Sequence, residues 1–203
     1  MRNYSIRMYV IALLFGVILT ACNSVAITRH YVLNSVANAP EEQAKADTFR
    51  VGISSLILPS YLDRSRIVTR SSSNQLKLAE FDRWGGSLRK NITQVLLNNL
   101  SSQLEPSHIT IIPVNSDVSP NISIEVELSR FEQFPDGKVY LSGMWQIVDS
   151  SGTLLTTNTA DFSRRVAGKG YAATVKTMSI LLGDLSRKLS ESVTLIHARK
   201  QAW

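Results

Sequence analysis

The sequence predicts an α+β domain: a mainly antiparallel or mixed sheet with two amphipathic helices packed on one face. Three observations lead there. Strand signals fall in two separate groups, each group is followed by an apolar stripe of helical period, and turn residues tie the second group into a meander. The chain has 203 residues, enough for one domain with a real core. At 44% hydrophobic and 19% charged, its composition is that of a folded protein.

In chain order, Arg2 and Arg7 form a positive start with no acidic residue, followed by twelve uncharged residues at 8–19. That run is shorter than the roughly 20 residues of a membrane-spanning helix and matches the apolar region of a secretory signal peptide. Leu19-Thr20-Ala21-Cys22 follows and resembles a bacterial lipobox, with apolar, small and small residues before a cysteine. Small residues let a peptidase reach the backbone, and the Cys22 thiol is the group that takes a diacylglyceryl thioether. Cleavage then frees its amine for a further acyl chain, a palmitate-type modification. Cys22 is the only cysteine in the chain. Asn23 is not the Asp that commonly retains lipoproteins in the inner membrane, which favours the outer membrane with the domain in the periplasm.

The expected division is therefore a signal peptide at 1–21, the acylated cysteine with an N-terminal strand and linker at 22–47, and the α+β domain at 48–203. Residues 34–47 are small, polar and hold a proline, the composition of a loop. The first strand group comprises 29–33, 49–58, 66–69 and 75–78. Trp84, Leu88, Ile92, Val95, Leu96, Leu100 and Leu104 then recur at helical spacing. Gly85-Gly86 delays the start of that helix, since each glycine costs about 1 kcal/mol relative to Ala.

In the second group, Ile122, Ile124, Val126 and Leu128 alternate with polar residues, as in a half-buried strand. Pro135-Asp136-Gly137 and Ser150-Ser151-Gly152 are turn chemistry, so 121–162 reads as a three-stranded antiparallel meander. Tyr171, Val175, Met178, Leu182, Leu185, Leu189, Val193 and Ile196 form the second helical stripe.

Chemistry is mostly excluded. One cysteine rules out an intramolecular disulfide and a multi-thiolate zinc site. His30, His108 and His197 are scattered, with no elbow motif or His-x-x-x-His pair for a hydrolase. Glu125 and Glu127 alternate with the apolar positions and are expected to face solvent. Gly168-Lys169-Gly170 lacks the upstream glycine of a phosphate loop and reads as a turn before the last helix. No catalytic residue, metal site or cofactor is expected. The net charge of +6 falls to +4 once Arg2 and Arg7 leave with the signal peptide. Export disfavours nucleic acid as a partner. Arg64, Arg66 and Arg70 form one basic cluster, and Arg164, Arg165 and Lys169 another. Both read first as solvated surface and secondly as groups for phosphate headgroups or an acidic partner.

Ordered words along the chain carry a resemblance. The segment Pro59-Ser60-Tyr61-Leu62, ending in Ile67-Val68, is one. Trp84-Gly85-Gly86-Ser87-Leu88, then Asn99-Leu100-Ser101-Ser102-Gln103-Leu104, is another. Asp136-Gly137-Lys138-Val139, then Ser142-Gly143-Met144-Trp145, is a third. Behind a lipobox, this set resembles the PqiC (YmbA) lipoproteins, the ABC-type transport auxiliary lipoprotein family. The sequence departs from that pattern at Gly85, where Ala is common, and in the arginine-rich stretch 64–70.

The resemblance implies a non-enzymatic, outer-membrane lipoprotein that docks a periplasm-spanning MCE-domain (PqiB-like) protein. That partner connects it indirectly to an inner-membrane transporter component, in a lipid-transport system supporting envelope integrity. It also implies the option of a ring-like homo-oligomer. Pro59, Tyr61, Leu62, Arg64 and Arg66 are the candidate partner-binding residues, with Trp84 read rather as core. A periplasmic, lipid-anchored module that binds a small apolar ligand between helices and sheet is the alternative.

Overall fold

The computed structural model describes residues 27–36, 49–113 and 116–201. The signal peptide, the lipobox with Cys22, Asn23 and most of the 34–47 loop lie outside the described residues. Among those described, eight strands form one mixed sheet, and two helices cover one of its faces. In order they are β1 (Arg29–Tyr31), β2 (Phe49–Ile57), β3 (Arg66–Ser72), β4 (Gln75–Trp84), α1 (Leu88–Leu104), a 3₁₀ turn (Glu105–Ser107), β5 (Ile109–Ile111), β6 (Ile122–Gln133), β7 (Lys138–Asp149), β8 (Leu154–Arg165) and α2 (Gly170–Gln201).

The antiparallel part is where local signals placed it. β6, β7 and β8 form the meander, closed by turns at Gly137 and Gly152, whose φ of 77° and 85° suits glycine. β3 and β4 form a second hairpin. The parallel pairings are what bind the two groups into one sheet: β1 with β4, β2 with β5, and β6 with both β2 and β3. β5, only three residues long, is too short to register as a strand from the sequence. It owes its place to the ladder with β2, where Phe49 faces Ile109 and Val51 faces Ile111.

Trp84 closes β4, instead of opening the first helical stripe, and is buried in the core. Helix α1 starts after Gly85-Gly86, with the Ser87 hydroxyl accepting from the Lys90 amide as N-cap. Its buried face is Leu88, Ile92, Val95, Leu96, Leu100 and Leu104, joined by Asn99. α2 buries a wider face than its apolar stripe, because Thr174, Thr177, Ser179, Gly183 and Ser186 are also covered.

Ser179, Gly183 and Ser186 are covered from the segment after β1 and the Asn99 side chain that binds it. The Leu33 amide donates to Asn91 Oδ1 of α1 (2.6 Å), and the Asn34 amide donates to the Ser179 hydroxyl of α2 (3.1 Å). Asn99, at 0% exposure, accepts from the Ser35 hydroxyl (2.6 Å) and the Val36 amide (3.1 Å), and its amide donates to Ser186 (3.2 Å). This strap binds both helices, and small residues on α2 leave it room. The sheet side of the core is filled by Ile122, Ile124, Val126, Leu128, Phe131, Val139, Leu141 and Ile147.

Candidate functional site

The site begins with a defect in a strand. Along β6, Ile122, Ile124, Val126 and Leu128 point into the core, so alternation alone would send Arg130 and Glu132 there too. The β6–β7 register instead slips between Leu128, paired with Gly143, and Arg130, paired with Ser142. Ser129 is the extra residue of a β-bulge, and its hydroxyl donates to the Ser142 carbonyl (3.1 Å). The inward phase passes to Phe131, and Glu132 is turned to the opposite face.

There Glu132 is fully buried, at 0% exposure. Arg70 Nε of β3 donates to its Oε1 (2.7 Å), and the Phe131 amide donates to Oε2 (2.8 Å). The Tyr61 hydroxyl lies 3.2 Å from both oxygens. Arg70 Nη1 also donates to the Ser73 carbonyl (2.7 Å). The guanidinium sits between two rings, 5.7 Å from the Tyr61 centroid and 5.1 Å from that of Phe134. Burial, reinforced by the Glu132 charge, pushes the Tyr61 phenol above its ordinary value. The hydrogen bond to Glu132 raises Arg70 further. The phenol thus stays protonated and the guanidinium charged. Those two groups therefore position their neighbours and do not exchange protons near neutral pH.

Tyr61 belongs to the connection between β2 and β3, which holds all five candidate partner-binding residues up to the start of β3. The Pro59 carbonyl accepts from the Leu62 and Asp63 amides (2.9 and 3.3 Å), making a tight turn. Asp63 accepts from Arg89 Nη2 of α1 (2.6 Å). Pro59 and Tyr61 are half-buried, and Arg64 and Arg66 are exposed. Leu62 is 2% exposed and packs in the core, so it holds the turn down and has no surface to offer a partner. Of the basic clusters, Arg70 turns away to Glu132. Arg164 pairs with Asp184 (3.1 Å), and Arg165 donates to the Asp136 carbonyl (3.3 Å).

Beside Arg70 opens a cleft of about 540 Å³, walled by β3, β4, the end of β6 and the start of α2, with Lys77, Phe134, Lys169 and Tyr171 among its lining. A second cluster holds the N-terminal strand. Arg29 grips Asp82 through Nε (2.8 Å) and Nη2 (3.0 Å), and the Tyr31 hydroxyl donates to the same carboxylate (2.8 Å). That arrangement, led by the Arg29 bond, lowers the pKa of Asp82.

His30 lies in β1, His197 in α2 and His108 in the turn before β5. Glu127 is exposed and Glu125 half-buried. Among the described residues no group of three or more His, Cys, Asp or Glu is placed to hold a metal ion. None of the described helices is long and apolar enough to cross a membrane. Sequence reasoning passed over Glu132, Lys77 and Asn99. For Glu132 a signal was present: a carboxylate in phase with four core residues demands either a buried partner or a bulge.

Residues 31–190 match the family of ABC-type transport auxiliary lipoprotein components, which spans most of the chain. The chain belongs to that family. Its ABC-type transport auxiliary lipoprotein relatives include the intermembrane transport lipoprotein PqiC of Escherichia coli K12. The two are 25% identical over 138 residues, 68% of this chain and 72% of the relative. PqiC of Shigella flexneri matches to the same extent.

The fold recurs in the crystal structure of an uncharacterised protein, with a TM-score of 0.70 at 21% identity, covering 82% of this chain and 99% of that one. A Xanthomonas campestris protein gives 0.64 at 11% identity, over 88% and 98% of the two chains. The family is one of transport lipoproteins and not of enzymes.

Proposed function

We propose that this chain is an acyl-anchored outer-membrane lipoprotein that docks a periplasm-spanning MCE-domain protein in an intermembrane lipid-transport system. The observation that carries the reading is the family match over 31–190, set behind a lipobox that holds the chain's only cysteine. Removal of residues 1–21 and acylation of Cys22 confine the domain to a thin layer under the membrane, where two or more acyl chains make a stable anchor. Confinement raises the effective concentration for a partner that reaches the same layer. A ring of copies would align the partner's exit with the bilayer, keeping lipid out of water and supporting envelope integrity.

The connection between β2 and β3 offers Pro59, Tyr61, Arg64 and Arg66 as the docking surface. The alternative, capture of an apolar ligand between helices and sheet, would need an enclosed cavity in that layer. Among the described residues the layer is filled by buried Leu, Ile and Val side chains, which supports docking over capture. The test is a pull-down of the full acylated chain from detergent-solubilised envelopes. An MCE-domain protein is expected in the eluate and reduced by Arg64→Glu/Arg66→Glu. Its consistent absence counts against docking. The anchor is tested with Cys22→Ala, which should no longer fractionate with outer membrane; unchanged fractionation would sink the localisation.

A further inference from the structure

The cleft at the start of α2 has a one-sided charge. Arg70, Lys77 and Lys169 line it, and no Asp or Glu does. Among the described residues neither lysine has an ion-pair partner. Lys77, Thr69 and Gln133 are register partners across three strands. Gln133 accepts from the Thr174 hydroxyl of α2 (2.6 Å), so this row faces the helix and puts the Lys77 ammonium at the cleft. Lys169 stands at the opposite wall, just before the first turn of α2, whose free amides carry partial positive charge.

Arg70 is built in differently. Its Nε and Nη1 are taken by Glu132 and Ser73, and its plane is held between Tyr61 and Phe134. Burying the Glu132 carboxylate is costly, and a hydrophobic pair would serve stability as well. The Tyr61 hydroxyl shares the guanidinium as well, so Arg70 lines the cleft without offering it a free donor.

We propose that this cleft is a phosphate site and that it takes the headgroup of an anionic phospholipid. Two unpaired ammonium groups on opposite walls, beside the free amides that open α2, suit a phosphodiester. The volume of about 540 Å³ suits a headgroup. Choosing a lipid over another phosphate rests on the acyl anchor proposed above. β1 runs parallel to β4 with Arg29 beside Asp82, so the chain before Arg29 heads toward the Lys77 end of β4. Lys77 is five strand residues before Asp82, about 17 Å. Cys22 lies seven residues before Arg29, a reach of up to about 25 Å. The tether therefore lets the membrane surface and the cleft meet.

The experiment titrates the full acylated chain, in a neutral maltoside detergent, with dihexanoyl phosphatidylglycerol and separately with inorganic phosphate, read by calorimetry. Saturable lipid binding is expected, weakened about tenfold by Lys77→Gln/Lys169→Gln and further by added salt. Both lysines are exposed, so the double variant should keep the wild-type Tm. Inorganic phosphate binding as tightly as the lipid would overturn the assignment to a headgroup. Absence of saturable binding of either probe, or equal binding by the double variant, would overturn the site. Partner capture is read separately on Arg64 and Arg66, so its failure leaves the titration intact, and failure of the titration leaves docking intact.

Discussion

Replacing Arg70 by Ala tests whether the Glu132 cluster is organised as described. The substitution leaves a fully buried carboxylate with only the Phe131 amide and the Tyr61 hydroxyl as partners. Removing one member of a buried pair costs about 3–5 kcal/mol, where the reverse, exposed pair would cost under about 1 kcal/mol. For a domain near 200 residues that corresponds to a fall in Tm of roughly 6–20 °C. The loss should also depend on pH. Without Arg70, burial favours the neutral acid, so the folded-state pKa of Glu132 rises above the unfolded value near 4.3. Above that raised value the folded protein must hold an unpaired charge or take up a proton, and the cost grows with pH. Below the unfolded value both states are protonated and that part of the cost vanishes. Urea unfolding at pH 8 and pH 5.5 should therefore show a deficit that shrinks at the lower pH, by at most about 1.4 kcal/mol per pH unit. Glu132→Gln in the Arg70→Ala background should remove the pH dependence. A deficit under about 1 kcal/mol, equal at both pH values, would refute the reasoning.

Three other outcomes are expected. In Gly143→Ala, the added methyl meets the Glu127 carbonyl oxygen and sits 2.9 Å from Leu128 Cα, both backbone atoms, so β7 must back away from the bulge. A loss of about 3 kcal/mol is expected in chemical denaturation, and a loss under about 0.5 kcal/mol would show that the strands are not so close. In Gly183→Ala, the new Cβ would lie 2.5 Å from Val36 Cγ2, so the strap should lift and the Val36 amide exchange with solvent faster; unchanged protection would contradict its seating on α2. For Asp82, the lowered pKa means stability that is present above the unfolded value near 3.9 and lost as pH falls through the folded value. Asp82→Asn should be less stable at pH 7 and should flatten the acid limb below about pH 4, as followed by thermal melts.

How much of this was legible differs by kind of feature. The β6–β8 meander came from alternation and two turn sequences, all local. The apolar face of α1 was read nearly residue for residue, because a helix repeats its buried side every three or four positions. The failures share one cause. Trp84 has the spacing of the α1 stripe but belongs to β4, since two glycines interrupt the helix before it can begin. β5 and the parallel ladders join residues far apart in sequence, and a single sequence carries no pairing signal for them. Leu62 stood in a surface-like word yet points inward, because the Pro59 turn folds it under.

By itself the sequence determined the α+β class, the alternation of strand groups with helices, and the turns, and it carries the lipobox-like run that ends at Cys22. Each of these is set by neighbours within a few residues, through periodicity, turn propensity or chemical reactivity. Only the tertiary structure decided where the charges go. The Ser129 bulge, beside the close approach of β7 at Gly143, moved Glu132 out of the core phase and against Arg70. Beside that pair the same folding opened a cleft whose unpaired cations, Lys77 and Lys169, stand 92 residues apart in sequence. Periodicity cannot reveal such a site, because its energy comes from burying and opposing charges across a folded chain.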